Sequence, residues 1–233
     1  GVVRELAARG HKVVYYSYDT MRKPIEAAGA AFVSCNAYDA EQRLSPKDGE
    51  RLGRDLAFST QVLVDTTLAL DNAILSDMRA LAPDCIVADS MALWGKLIAK
   101  KLDIPFVSST TTFAFNRYSA KIMKQSPAQL FGMLVSMPKI GREIKRLQAA
   151  GYPVKSVLDI IQNDENLDTI VYTSPEFQPC ADTFPAAHYA FVGPSIRPAE
   201  MRMEKSVQPL VYISLGTVVN DQLAFYQQCV AAL

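Results

Sequence analysis

Hydrophobic and polar positions alternate between two periods along this chain, and the switches between them predict its elements. Val2, Val3, Leu6 and Ala7 share one helical face, with Gly10 placed just past the end of that helix. Residues 12–18 are apolar, β-branched and aromatic, so they predict a strand. Residues 24–28 predict a short helix, with Pro24 suited to its first turn and Gly29 to its end. Residues 31–35 predict another strand. Helix, strand, helix, strand within 35 residues is the alternation of parallel βαβ units.

The alternation continues. Residues 36–48 are polar and loop-like, and residues 50–81 turn helical until Pro83. Residues 85–88 read as a buried strand closed by Asp89 and Ser90, followed by a helix over 91–102 and a strand over 104–108. Residues 117–150 are mostly helical, with breaks expected near Pro127 and Pro138. Strands are expected over 167–173 and 189–192. The segment from Gly193 to Pro209 is polar and carries three prolines, Pro194, Pro198 and Pro209, as an interdomain linker would. Beyond it, residues 210–214 read as a buried strand running into Gly216-Thr217, with an amphipathic helix beginning near Asp221.

The expected fold is α/β. A Rossmann-like, doubly wound parallel sheet occupies residues 1–193, a linker residues 194–209, and the first strand and helix of a second Rossmann-like domain residues 210–233. In such sheets ligands bind beyond the carboxyl ends of the strands, which directs attention to Asp89, to Ser109 and its neighbours, and to Gly216-Thr217.

Composition narrows the classes. The chain has 233 residues, 49% of them hydrophobic, and a formal net charge of zero. That is ample material for a core, and no global field draws it to nucleic acid or acidic membranes. No apolar run approaches the ~18 residues of a membrane span. Cys35, Cys85, Cys180 and Cys229 are widely spaced and form no C-x-x-C pair, which argues against a zinc site or a disulfide framework and for a reducing cytoplasm.

Several residues carry candidate chemistry. Asp89 ends a strand and precedes a helix, so it is either a helix cap or a catalytic carboxylate. The hydroxyl run Ser108-Ser109-Thr110-Thr111-Thr112 suits a helix cap and turn, or a polar ligand. The loop from Ser214 through Gly216 to Thr217 could cradle a phosphate with backbone N–H groups, or be an ordinary turn. His11 sits between a helix-ending glycine and a strand, and His188 in a polar connector with no partner suggested by spacing. Neither forms a metal pattern, so the chain lacks a convincing general base of its own. Lys139, Arg142, Lys145 and Arg146 read as a solvated helical face, and Phe131 with Met123, Met133 and Met137 as core or as a pliable apolar pocket.

Four segments together resemble the UDP-dependent glycosyltransferases of family 1, bacterial macrolide-type branch. They are Gly1-Val-Val-Arg-Glu-Leu-Ala-Ala-Arg-Gly-His-Lys-Val13, Ile170-Val-Tyr-Thr-Ser-Pro-Glu-Phe-Gln-Pro179, Phe191-Val-Gly-Pro-Ser-Ile196 and Val211-Tyr-Ile-Ser-Leu-Gly-Thr217. The resemblance implies a GT-B fold, two facing Rossmann-like domains with the acceptor held by the first and the nucleotide sugar by the second. It implies inverting transfer of a sugar, glucose in the first instance, from a UDP-sugar to a hydroxyl of an apolar acceptor such as a macrolide or flavonoid, with no metal and no other cofactor. Asp89 matches the aspartate that orients the family's catalytic histidine. Ser214, Gly216 and Thr217 match the loop near the donor diphosphate, and Met91, Ser109, Thr112, Phe113 and Phe131 fall where acceptor residues are expected. That histidine and the donor signature are expected ahead of Gly1 and beyond Leu233. The chain would then be a fragment of a cytoplasmic, monomeric enzyme, inactive alone; the other reading is a non-catalytic module that binds small molecules.

Overall fold

A computed structural model of the chain describes residues 1–38, 45, 48, 51–52, 55–122, 127–156, 159, 166–195, 211–215 and 222–232. Contacts divide it into two compact units, Gly1–Ile196 and Arg197–Leu233.

The first unit follows the predicted alternation. Helix α1 spans Val2–Ala8 and closes through Gly10, whose φ of 87° is open to glycine and strained for a side chain. Strand β1 (Val14–Ser17), helix α2 (Arg22–Glu26) and strand β2 (Ala31–Ser34) follow. The 26-residue helix α3 (Leu56–Leu81) begins where the Asp55 side chain accepts from the Phe58 N–H at 3.0 Å. Then come β3 (Ile86–Asp89), α4 (Leu93–Leu102), β4 (Phe106–Thr110), α5 (Arg117–Ile122), α6 (Pro127–Ala149), β5 (Thr169–Val171) and β6 (Tyr189–Phe191).

Every strand pairing among the described residues is parallel, as the βαβ pattern requires. One open sheet was the expectation; the described strands instead form two, β1-β2 and β3-β4-β5-β6. The sheets share a core. Leu93, Leu97 and Ile98 of α4, Val64, Leu70 and Ile74 of α3, and Leu147 of α6 form one buried cluster with Cys35, and Tyr16 and Ile86 pack against it. A second cluster, Ala114, Val171, Phe184 and Tyr189, lies around β5 and β6. Helix α4 approaches β3 so closely that a Cβ at Gly95 would lie 2.5 Å from the Cβ of Ala88, so glycine is required there.

The two long helices run in the same direction. Asp55, Phe58 and Gln61 at the start of α3 lie beside Lys139 and Arg142 of α6, and Arg146 further along α6 pairs with Asp65 further along α3 at 2.7 Å, so partners advance together. Asp71 lies at the centre of a polar knot. It accepts from Lys101 Nζ at 3.2 Å and from the Tyr152 hydroxyl, while Lys101 also donates to the Ala150 carbonyl at 2.8 Å and sits 4.4 Å from the Tyr152 ring centre. Burial, and then the Asp71 carboxylate, push the Tyr152 phenol above its ordinary range.

Several sequence expectations need correction. Pro138 does not break α6 but lies inside it, because the carboxyl half of the helix is anchored by buried Ile140 and Leu147. Strand β3 is not fully buried: Val87 is 46% exposed, on the face opposite buried Ala88. Ser109 and Thr110 extend β4 past the strand end expected at Ser108, rather than lying in the turn after it. Met137 is exposed, not core; the side chains of Met123, Met133 and Phe131 lie outside the described residues. In the second unit, residues 211–215 form no strand, and Val211 and Tyr212 are exposed. A single short strand has no ladder to join without further strands beside it. The helix expected near Asp221 is present as α7, Leu223–Ala231.

Candidate functional site

Asp89 is the last residue of β3 and is exposed at the carboxyl edge of the four-stranded sheet. Both carboxylate oxygens have partners. Oδ1 accepts from the Met91 N–H at 2.8 Å, and Oδ2 accepts from the Thr111 hydroxyl at 3.2 Å. The first contact is a local turn bond, and no side chain caps α4 itself, whose N-cap residue is Ala92. The helix-cap reading of Asp89 therefore reduces to an Asx-type turn. The Thr111 contact crosses to the loop after β4 and aims the carboxylate, which a turn alone does not require.

The neighbouring strand ends converge on the same edge. β3 pairs with β4 with Asp89 opposite Ser109, and β4 pairs with β5 with Thr110 opposite Val171. The Ser109 hydroxyl donates to the Tyr172 hydroxyl at 3.2 Å, just past β5. Two loops are then stapled together by Gln178. Its buried amide accepts from the Ala114 N–H and donates to the Ala114 carbonyl, both at 3.0 Å, and it also reaches the Pro179 carbonyl at 3.1 Å. Asn116 adds a second tie, with its amide donating to Thr183 Oγ1 at 2.8 Å while its oxygen accepts from the N–H groups of Tyr118 and Ser119 at the start of α5. These bonds hold apolar side chains in the open. Met91 is 68% exposed, and Phe113 faces Phe177, itself 71% exposed, with ring centres 5.5 Å apart.

Of the residues named from the sequence, the structure gathers Asp89, Met91, Ser109 and Phe113 at this edge, with Thr112 exposed in the loop after β4. Phe131 lies within α6, and its side chain is outside the described residues. Ser214 is described and exposed; Gly216 and Thr217 lie outside the described residues. Thr111, Tyr172, Phe177 and Gln178 were not singled out as site residues. Thr111 was within the hydroxyl run and the other three within the quoted segment 170–179, but which partners they meet depends on strand pairing.

Neither histidine is at this edge. His11 precedes β1, and His188 precedes β6 at its amino end. His188 does have a partner, contrary to its spacing: Asp168, ahead of β5, lies 2.8 Å from its Nδ1. Cys85, ahead of β3, has its thiol pushed up by burial and then by Asp168. No group of metal-ligating side chains occurs among the described residues, and no helix among them is long and apolar enough to cross a membrane. Two cavities lie elsewhere. One of about 250 Å³ between α3 and α6 is lined by Arg51, Asp55, Phe58, Lys139 and Arg142, and one of about 340 Å³ is lined by Tyr16, Cys35, Ile74 and Asp77. Asp89 lines neither.

No family model matches the chain. It is 29% identical to an uncharacterized UDP-glucosyltransferase, YojK, of Bacillus subtilis strain 168, over 98% of this chain and 58% of that protein. It is also 29% identical to the demethyllactenocin mycarosyltransferase of Streptomyces fradiae, over 100% of this chain and 52% of that protein. Among solved structures, the calicheamicin glycosyltransferase CalG4 matches with a TM-score of 0.66 and 27% identity, over 99% of this chain and 56% of that one. A glycotransferase of kitacinnamycin matches with a TM-score of 0.78 over 100% of this chain and 58% of that one; at 23% identity it shows the fold alone. The chain spans about half the length of the curated relatives it matches.

Proposed function

Because the chain is related to bacterial UDP- and NDP-sugar glycosyltransferases of GT-B fold, we propose that it is the acceptor-side part of such an enzyme. The whole protein then transfers a sugar, glucose in the first instance, from a UDP-sugar to a hydroxyl of an apolar small molecule. Asp89 carries the reading: an exposed carboxylate at the carboxyl edge of a parallel sheet, aimed by the Met91 N–H and the Thr111 hydroxyl.

A carboxylate there can orient an imidazole and stabilise its protonated form. The histidine that the family resemblance implies is neither His11 nor His188, since both lie at the amino ends of strands. In the reaction the acceptor hydroxyl passes its proton to that imidazole. The acceptor oxygen forms a bond to the anomeric carbon from the face opposite the leaving group, inverting it. The bond from that carbon to the diphosphate oxygen breaks, and UDP leaves with the electron pair. Ser214, Gly216 and Thr217 are assigned to the diphosphate, where hydroxyl and N–H donors offset the charge that develops. No step uses a metal. The enzyme is proposed to act as a monomer in the cytoplasm.

The test is Asp89→Asn in the full-length enzyme, assayed with UDP-glucose and a phenolic acceptor. Loss of general-base support is expected to lower kcat/KM by about 10²–10⁴-fold, with the circular dichroism spectrum unchanged. Turnover within twofold of the parent would return Asp89 to a turn residue. Residues 1–233 alone are expected to show no transfer.

A further inference from the structure

We infer that the cavity between α3 and α6 binds a small organic phosphate. The basic residues of α6 read from the sequence as one solvated face, but the fold divides them. Arg146 is engaged within the protein, paired with Asp65 at 2.7 Å and with Glu143 at 2.5 Å. Lys139 and Arg142 instead line the cavity, together with Arg51, Asp55, Phe58 and Gln61. Asp89 does not line it, so the inference stands apart from the reading of that residue.

The charges that line the cavity do not cancel. Its two carboxylates already have partners. Asp55 accepts from the Phe58 N–H at 3.0 Å and from Arg51 at 3.1 Å, and Glu143 accepts from Arg146. Arg51 is shared further with Asp48 at 3.5 Å, and its guanidinium lies 4.2 Å from the Phe58 ring centre. Lys139 and Arg142 are what is left. Among the described residues neither makes a hydrogen bond or an ion pair. Lys139 acts on Asp55 through its field alone: that carboxyl is held below its ordinary range by the Phe58 N–H, then by Arg51, and last by the Lys139 charge. Positions 139 and 142 are three apart, so the two cations are neighbours on one helix face and repel each other. An anion between them turns that repulsion into attraction.

Charge and size together select the ligand class. A phosphate monoester carries nearly two negative charges at neutral pH and three acceptor oxygens, which matches two cations with no acid of their own. The Arg142 guanidinium can meet two of those oxygens with paired donors, and Lys139 supplies a point charge. The cavity, at about 250 Å³, lies below the ~300 Å³ at which pockets for larger ligands begin. One phosphate with a short apolar body fills it, and a large uncharged molecule suits neither its volume nor its charge. Buried Ala57 and the Phe58 ring supply an apolar wall for that body. The site is also formed in advance. The Asp55 cap fixes the start of α3, and the Arg146–Asp65 pair ties α3 to α6, so binding orders little that is not already ordered.

The experiment is calorimetric titration of phenyl phosphate into the 233-residue chain at constant ionic strength. Lys139→Gln and Arg142→Gln are each expected to weaken binding about tenfold, and the double variant to abolish it. Both side chains are exposed, so the variants keep the fold, which circular dichroism checks. Lys145→Gln, on the same helix but outside the cavity, is expected to change binding less than twofold. Inorganic phosphate, which leaves the Phe58 wall unused, is expected to bind roughly threefold more weakly or worse, and benzyl alcohol, which lacks the charge, not at all. A ligand of the folded state also raises its stability, so phenyl phosphate should raise the thermal midpoint of the parent and leave that of the double variant unchanged. The site is overturned if the parent does not bind at millimolar probe, if the double variant binds within twofold of the parent, or if both melt higher by the same amount. Equal losses in Lys145→Gln and Arg142→Gln would overturn it too, since they mark diffuse attraction to a basic helix. Equal affinity for inorganic phosphate would overturn the organic ligand.

Discussion

The carboxyl edge around Asp89 and the helical layer of α3, α4 and α6 both depend on polar side chains, and they use them in opposite ways. In the helical layer, Asp71, Lys101 and Tyr152 direct their hydrogen bonds inward and to one another, so the knot joins α3, α4 and the segment after α6. At the carboxyl edge, Gln178 and Asn116 are buried, but what they fix is the backbone of the loops after β4 and β5, and Asp89, Met91 and Phe177 nearby along these chain segments are exposed. A buried polar group needs its partners wherever it lies. The difference is that one set closes a structure and the other holds a surface open. Stability should therefore respond to the first region, and acceptor binding to the second.

Four substitutions would break or sharpen that contrast. Leu147→Ala removes a fully buried side chain from the shared core, and is expected to cost about 2–5 kcal/mol of unfolding free energy in a urea titration. A loss under ~1 kcal/mol would mean the helical layer is not where stability resides. Asp71→Ala leaves Lys101 and Tyr152 without their shared acceptor and is expected to cost about 2 kcal/mol, discounted because both charged groups keep some solvent contact. Asp55→Ala removes the cap of α3 and should cost about 1 kcal/mol near neutral pH.

The Asp55 effect carries a pH signature. Its carboxyl is held below its ordinary range by the Phe58 N–H and then by Arg51, against some burial. A depressed folded pKa contributes stability that is fully present above the unfolded value of ~3.9 and is lost as pH falls through the folded value. The gap between parent and Asp55→Ala should therefore be constant from neutral pH down to about pH 5 and close in more acidic urea titrations. A gap that widened with acid would contradict the cap. Phe177→Ala is expected to have the least effect. It should shift the thermal midpoint by no more than ~0.5 kcal/mol would, because that ring is mostly exposed.

The order and type of most elements were legible in the chain itself. Gly10 after an apolar helical face, the β-branched run before Tyr18 and the Asp89-Ser90 boundary are local signals, and local signals suffice for elements whose period is regular. Pro138 was misjudged because propensity speaks only for the isolated helix, whereas Ile140 and Leu147 are held by tertiary packing. Residues 211–214 differ from the expectation for the converse reason: apolar alternation marks strand potential, but a strand also needs a partner's ladder.

Period, punctuation and residue type along the chain suffice for the parallel α/β plan, for the position of Asp89 at a strand end and for the resemblance to glycosyltransferases. Folding in three dimensions is what bonds Thr111 to Asp89, clasps Ala114 with Gln178 and sets Phe177 opposite Phe113. Those pairs are 22 to 64 residues apart in sequence. Register between parallel strands brings them together, and no local pattern encodes which residues of two separate loops will face each other.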